Sequence, residues 1–382
     1  MLRKYSWLFV FIACLCEAQA QPFAVGKRTL QFSDPSRGNR VISADLYYPA
    51  ATAGASTPLP PGTTPYALVV FGHGFLIPAT SYSWLGDSLA RQGFITAFPN
   101  TEGTISPDHA AFGEDISFLS RLLPTLTDSS GSFLNGRISN RVAAGGHSMG
   151  GGASFLATAG NQQVQALFNF AAAETNPSAK TAATTVQIPV LIIAGSRDCI
   201  VPDSNQLTMY RQVPYPCKTF VNITDALHCH FANNNGTCTS GQFFSGCNSS
   251  PVTASNVFRQ CTQLLIPFLQ YYLNDSCEAK QIFENRLSST GGISYQRTCS
   301  ANPFTCPFTE YLFRGDGNWS NPLNWQYHRI PPRMLPAGFA IRIEPLNNGT
   351  CVLDRQQELS PGASLLIEPG KKLLIPGSME IR

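Results

Sequence analysis

Gly146-His147-Ser148-Met149-Gly150 is the stretch of this sequence that carries the most chemistry. A serine hydroxyl becomes a useful nucleophile only when a neighbouring base takes its proton. Glycines two residues before and after it allow a sharp, strained strand-to-helix turn that leaves the hydroxyl exposed. Arg141-Val142-Ala143-Ala144 supplies the strand in front, and Gly151-Gly152-Ala153-Ser154-Phe155-Leu156-Ala157 supplies a helix behind. The N-terminus of that helix faces the point where a carbonyl oxygen would gain negative charge. The chemistry implied is acyl transfer through Ser148.

The serine needs a histidine, and the histidine needs an orienting carboxylate. On strand–turn–helix frameworks of this kind they follow in the order Ser, acid, His. Asp198 lies just past the apolar run Pro189–Gly195 and is the favoured acid. Asp203 is its neighbour, but it follows Pro202 and reads as a helix N-cap. His228 and His230 both follow the strand-like run Lys218–Ile223, and spacing does not separate them. His147 belongs to the turn itself, and His109 and His328 have no motif around them. An oxyanion needs two backbone donors. The N–H of Met149 is one. The loop Phe71-Gly72-His73-Gly74-Phe75 offers the other, from Phe75 or Gly74.

The elements that must position these residues alternate in type. Tyr66–Phe71, Gly93–Pro99, Arg141–Ala144, Pro189–Gly195 and Lys218–Ile223 read as buried strands. Trp84–Gln92, Asp115–Leu126 and Val257–Leu273 read as amphipathic helices. Such alternation predicts an α/β fold with a mostly parallel sheet and helices on both faces. Ala51–Pro65 reads as a surface loop. After about residue 291 the texture changes to short apolar strands among Gly, Pro, Asn and Trp, with Leu365-Leu366-Ile367 echoed by Leu373-Leu374-Ile375. A small all-β module is expected there, with too few similar strands to claim a solenoid.

Leu2-Arg3-Lys4, the apolar run Trp7–Leu15 and Ala18-Gln19-Ala20 together read as a cleavable export leader over residues 1–20. The expected division is leader 1–20, catalytic domain 21–290 and β module 291–382. No later run reaches the roughly 18 apolar residues of a transmembrane helix. A net charge of +3 over 382 residues is too small to imply nucleic-acid binding, and no nucleic-acid partner is expected. Two of the 12 cysteines fall in the leader, and the other ten suit disulfides in an exported chain. No CxxC pair points to zinc. In the tail, Trp319, Trp325 and Tyr327 either stack on a glycan or polymer surface or form the module's own core.

With these residues assembled, the chain from about Tyr66 to Leu273 resembles bacterial cutinase-like and polyester-hydrolysing esterases of the dienelactone-hydrolase-like α/β-hydrolases. The resemblance rests on Trp84-Leu85-Gly86 with Gln92-Gly93-Phe94, on Gly146–Gly152, on Ile188–Ile192, on Asp198–Pro202, and on Lys218–His228. In that family a lysine-led strand precedes the histidine turn, which favours His228. The resemblance implies an α/β-hydrolase fold and ester hydrolysis through an acyl-enzyme, with Ser148, Asp198 and His228 catalytic and Phe75 and Met149 holding the oxyanion. No metal or organic cofactor is implied. Phe75 falls where the family places an aromatic clamp. The tryptophan opposite has no counterpart, since that segment reads Ala173-Glu174-Thr175-Asn176-Pro177; this favours smaller or more polar esters over flat aromatic polyester. The same residues also fit a lipase or acyltransferase, or a surface-binding protein on a hydrolase scaffold. Cys199 and Cys229 each follow a site residue, so a bridge to either would pin an active-site loop, whether directly between them or through Cys217 or Cys238.

Overall fold

A computed structural model describes residues 23–126, 133–134, 136–233, 235–247, 249–299, 310–326, 330–335 and 337–377. The expected leader, Tyr327, His328 and Cys306 lie outside these residues. In chain order the body runs β1 (Ala24–Asp34), β2 (Arg40–Ala50), β3 (Gly54–Ala55), β4 (Tyr66–Gly72), α1 (Ser83–Arg91), β5 (Phe94–Pro99), α2 (His109–Thr125), β6 (Ile138–His147), α3 (Met149–Thr158), β7 (Val164–Phe170), α4 (Ala179–Ala183), β8 (Val190–Gly195), α5 (Asp203–Gln212), β9 (Cys217–Ile223), α6 (Gly236–Phe244), α7 (Ala254–Asn274), α8 (Cys277–Ser289) and β10 (Ile293–Cys299).

These strands form one ten-stranded sheet in the order β10-β9-β8-β7-β6-β4-β5-β2-β1-β3. The run from β9 to β5 is parallel throughout, with β10 and the β2–β1 hairpin joined antiparallel at its two sides. Side chains alternate between the faces of each central strand. Val69 and Phe71 of β4 pack with Leu264, Leu265 and Phe268 of α7 on one face. Leu68 and Val70 pack with Ile116 and Leu119 of α2 and Ala153 of α3 on the other. Burial on both faces explains why these strands read as continuous apolar runs. This is the α/β-hydrolase fold.

Helix starts are fixed locally. Asp108, Asn235 and Ser276 each accept a backbone N–H from the first turn of α2, α6 and α8, at 3.0, 2.9 and 3.1 Å. At the other side of the sheet, the fully buried Asp115 of α2 receives both Arg40 and Arg37 from the β1–β2 hairpin, at 2.8 and 2.7 Å. A buried carboxylate needs such partners.

The sheet does not stop where the sequence texture changes. β10 falls after residue 291, yet it pairs with β9 along its whole length, and the disulfide Cys217–Cys299 joins the two strands. An edge strand exposes most of its side chains, so it lacks the apolar run that marks the inner strands.

The tail consists of β11 (Glu310–Phe313), β12 (Gly317–Asn318), β13 (Met334–Leu335), β14 (Ala340–Ile343), β15 (Thr350–Val352), β16 (Glu358–Leu359), β17 (Ser364–Ile367) and β18 (Lys372–Leu374). They stack in parallel as β11-β14-β17, β12-β15-β18 and β13-β16. This is a short parallel β-solenoid, against the expectation that its repeats were too few. The repeat hid because its register varies: Ala340 stacks on Ser364 and Glu310 on Ala340, but Gly317 stacks on Cys351. Its core contains Tyr311, Phe313, Trp319, Trp325, Ile341 and Ile343. Trp319 and Trp325 are fully buried and meet edge-on at 4.8 Å, so neither is a stacking platform for a polymer. No described helix is long and apolar enough to cross a membrane.

Candidate active site

In an open parallel sheet, ligands bind at the C-terminal strand edge where the strand order reverses. Here β5 and β6 lie on opposite sides of β4, so the reversal is at β4. Ser148 follows β6, and the Gly72–Phe75 loop follows its neighbour β4. Asp198 and His228 follow β8 and β9 on the same edge.

Ser148 has φ 54° and ψ −120°, a conformation side-chain-bearing residues rarely adopt. Its backbone is held by Ser148 N–H to Phe170 O at 3.0 Å, and by Ala173 N–H to Ser148 O at 2.9 Å. Both flanking glycines are required by space. A Cβ on Gly146 would lie 2.2 Å from the Gly150 carbonyl, and a Cβ on Gly150 would lie 2.2 Å from the Gly72 oxygen. The turn, α3 and the β4 loop are therefore packed backbone to backbone, with Gly150 N–H donating to His73 O at 3.0 Å.

Ser148 Oγ lies 2.9 Å from His228 Nε2, and His228 Nδ1 lies 2.7 Å from Asp198 Oδ2. All three side chains are buried. A carboxylate only accepts, so Nδ1 carries the proton and Nε2 faces the serine hydroxyl as an acceptor. The other Asp198 oxygen accepts the N–H groups of Ile200 and Val201 at 3.0 and 2.8 Å, which fixes the carboxylate plane. His230 stands apart, its Nδ1 accepting the Leu227 N–H at 3.2 Å. Asp203 is not an N-cap: Pro202 occupies that position, and Asp203 accepts Asn222 Nδ2 at 2.7 Å instead.

The N–H groups of Met149 and Phe75 have no acceptor in the chain among the hydrogen bonds of the described residues. Met149 opens α3. The Gly74 N–H is occupied, donating to Tyr82 Oη at 2.9 Å. Of the two donors expected from this loop, Gly74 and Phe75, it is Phe75 whose N–H has no acceptor, and the residue is 45% exposed.

A family model described as "PETase: PET hydrolase-like" matches residues 12–246, a span that contains every group above. The chain belongs to the PET hydrolase-like family. As a member it falls among the carboxylic-ester hydrolases. Cutinase est1 of Thermobifida alba is 27% identical over 234 residues, covering 60% of this chain and 70% of that protein. Cutinase 2 of Thermobifida cellulosilytica is 27% identical over 225 residues, covering 58% and 76%. A bis(hydroxyethyl) terephthalate hydrolase of Streptomyces coelicolor is 28% identical over 203 residues, covering 52% and 58%. The family match stops at residue 246, ahead of α7, β10 and the solenoid.

Two staples support the site within this family frame. The bridges are Cys199–Cys247 and Cys229–Cys238, not Cys199–Cys229. Each ties a site loop to the α6 region, so the two loops are pinned separately. Gln242 of α6 also accepts the Cys229 N–H at 3.1 Å. Cys261 and Cys351 are free and buried. No group of three or more His, Cys, Asp or Glu among the described residues could hold a metal ion. Across the site, Glu174 and Asn176 are exposed, on a segment tied to Ser148 through Ala173.

Sequence reasoning missed Tyr82. It lies in a one-turn 3-10 segment between two serines, without motif or periodicity, and nothing in the sequence pairs it with His147. Its hydroxyl lies 2.8 Å from His147 Nδ1.

Proposed function

We propose that this chain is a secreted serine esterase that cleaves carboxylic esters through an acyl-enzyme. The observation that carries the reading is the continuous run Asp198–His228–Ser148 at 2.7 and 2.9 Å beside two unpaired N–H groups. Ser148 Oγ attacks the ester carbonyl while His228 Nε2 takes its proton. The carbonyl oxygen becomes an oxyanion, and the Met149 and Phe75 N–H groups stabilise it. The tetrahedral intermediate collapses, the C–O bond to the alcohol breaks, and His228 returns the proton to the leaving alkoxide. Water then attacks the acyl-enzyme with the same base, releasing the acid and restoring Ser148. Asp198 holds the imidazole and balances its transient positive charge.

Phe75 supplies an apolar wall for the acyl group, and exposed Glu174 and Asn176 give the segment beyond Ser148 a polar character. This supports short, polar esters and exposed oligoester ends as substrates, with polyester as the polymeric form. Disulfides beside the site and the sequence of residues 1–20 support export. The catalytic unit then ends after β10 rather than at residue 290, and the solenoid is a separate module.

The test is hydrolysis of p-nitrophenyl acetate and butyrate by the oxidised protein beside Ser148→Ala. Wild-type turnover that falls about 10⁴-fold or more in the variant is expected. Equal rates in both proteins would overturn the reading.

A further inference from the structure

His147 is fully buried and touches no reacting atom in the scheme above, yet both of its ring nitrogens are engaged. Nδ1 lies 2.8 Å from Tyr82 Oη, and Nε2 lies 3.2 Å from the backbone oxygen of His228. Tyr82 is equally buried, and its oxygen also accepts the Gly74 N–H at 2.9 Å.

Proton counting fixes the direction of this chain. Gly74 N–H can only donate, so the Tyr82 oxygen accepts there and its own O–H points elsewhere. The His147 nitrogen at 2.8 Å is the acceptor within reach. His147 Nδ1 therefore carries no proton, and Nε2–H donates to the His228 carbonyl, which can only accept. Every group is satisfied in one arrangement: Gly74 N–H to Tyr82 Oη–H to His147 Nδ1, then Nε2–H to His228 O. Burial keeps the imidazole neutral by lowering its pKa well below the ordinary value, with His228 nearby adding to the effect.

The two ends of this hydrogen-bonded run adjoin the oxyanion donor and the base. Gly74 precedes Phe75, the donor for the oxyanion. His228 is the base. The glycine at position 74 is what lets the parts approach: a Cβ there would lie 3.1 Å from His147 Nδ1, 3.2 Å from Tyr82 Oη and 2.8 Å from Ile77 Cδ1. The ring of His147 stacks obliquely on that of His228 at 4.7 Å, so the contact reaches the base's side chain as well as its backbone.

We propose that Tyr82 and His147 form a buried positioning strut that sets the distance between the oxyanion loop and the catalytic histidine, and that Tyr82 reserves the Gly74 N–H so that Phe75 serves as the oxyanion donor. The proposal rests on the serine-esterase reading. The strut acts on the transition state rather than on ground-state binding, because the oxyanion and the charged imidazole exist only there.

Two measurements test it on the full, oxidised chain. The first is the tautomer of His147 in the wild type, read from imidazole ¹⁵N shifts and assigned by their loss in His147→Asn. A protonated Nε2 with an unprotonated Nδ1 is expected, and the opposite tautomer overturns the strut. This readout does not depend on activity, so it survives failure of the esterase reading. The second is kinetics of Tyr82→Phe on p-nitrophenyl butyrate. Removing the hydroxyl strands both the Gly74 N–H and His147 Nδ1. We expect kcat to fall by about 10- to 100-fold with KM changed less than about threefold. Affinity for a boronic acid that forms a tetrahedral serine adduct should fall in parallel with kcat. His147→Gln, whose amide N–H can still reach the His228 carbonyl, should recover part of what His147→Ala loses. A Tyr82→Phe protein with wild-type kcat, or one whose loss lies in KM alone, overturns the proposal. If the wild type itself neither hydrolyses the ester nor differs from Ser148→Ala, the esterase reading fails first, and the ¹⁵N tautomer still decides whether the strut exists.

Discussion

In the hydrolase body the parallel strands end together at one edge, so loops from β4, β6, β8 and β9 converge. In the solenoid the parallel strands stack along an axis, and the strands of each coil pair with those of the coils before and after it. Convergence brings residues far apart in sequence, such as Ser148 and His228, to 2.9 Å. Stacking brings together residues one coil apart, as when Arg342 pairs with Glu310 on β11 and with Glu368 just past β17. The body thus builds a reactive constellation and the solenoid builds a repeating surface. Two glycines, one from each region, show two different uses of the residue. Gly150 is needed because backbones nearly touch, whereas Gly338 has nothing within 4 Å and serves a turn at φ +80°.

Four measurements bear on this contrast. The largest concerns those glycines. Gly150→Ala pushes a methyl into the Gly72 carbonyl and should cost on the order of 3 kcal/mol or more, with loss of esterase activity. Gly338→Ala meets only a strained turn and should cost about 1 kcal/mol, with activity intact. Thermal melts of the two variants compare them directly, and equal losses would contradict the distinction.

The bridges come next. Replacing Cys229 and Cys238 by serine opens a link of 9 residues and should cost about 2–3 kcal/mol. Because His228 neighbours the bridge, kcat should fall while the solenoid keeps its hydrogen-exchange protection. Protection lost equally in both regions would argue for one cooperative unit.

A smaller effect is expected from pH. Burial lowers the pKa of His147, and also of His73 and His230. Below their unfolded value of about 6.5 the unfolded chain binds protons that the folded chain refuses. Stability is therefore complete above that pH and declines as pH drops through 6.5 toward the folded values. All three lie in the body, and no described solenoid residue is a histidine. Urea midpoints should be lower at pH 5.5 than at pH 7.5; a flat profile would refute the assignment of these rings as buried and neutral.

The smallest effect is expected from removing the solenoid. A chain ending after Cys299 should keep its rate on p-nitrophenyl butyrate within about threefold. One ending at residue 290 lacks β10 and the partner of Cys217, and should lose soluble expression. Equal behaviour of the two truncations would return the boundary to residue 290.

Much of the body was legible because inner parallel strands are apolar throughout and because the Ser148 turn needs glycine on both sides. β7 was less so: Gln165 and Asn169 interrupt its apolar run, and Asn169 is buried with its amide 2.7 Å from Ser154 Oγ. In the β1–β2 hairpin, β1 alternates half-buried and exposed positions while β2 is mostly buried, and the pair is held by Arg40 and Arg37 on Asp115, contacts that only folding creates. Among site residues, Ser148 announced itself by motif, and Asp198 by its place after a strand. His228 and His230 could not be told apart by spacing, since they lie two residues apart in one 3-10 segment that only tertiary structure orients. Tyr82 carried no signal, because its role depends on a nitrogen 65 positions away. Disulfide pairing was equally closed to sequence, as it follows the placement of α6.

The proposed chemistry stands or falls on Ser148 as the activated nucleophile. The direct measurement is peptide mass spectrometry of the oxidised protein after brief exposure to a fluorophosphonate. A single phosphonylated site is expected on the peptide containing Ser148, abolished in Ser148→Ala and slowed strongly in His228→Ala. Labelling at another residue, or none on a folded protein that hydrolyses esters, would contradict it.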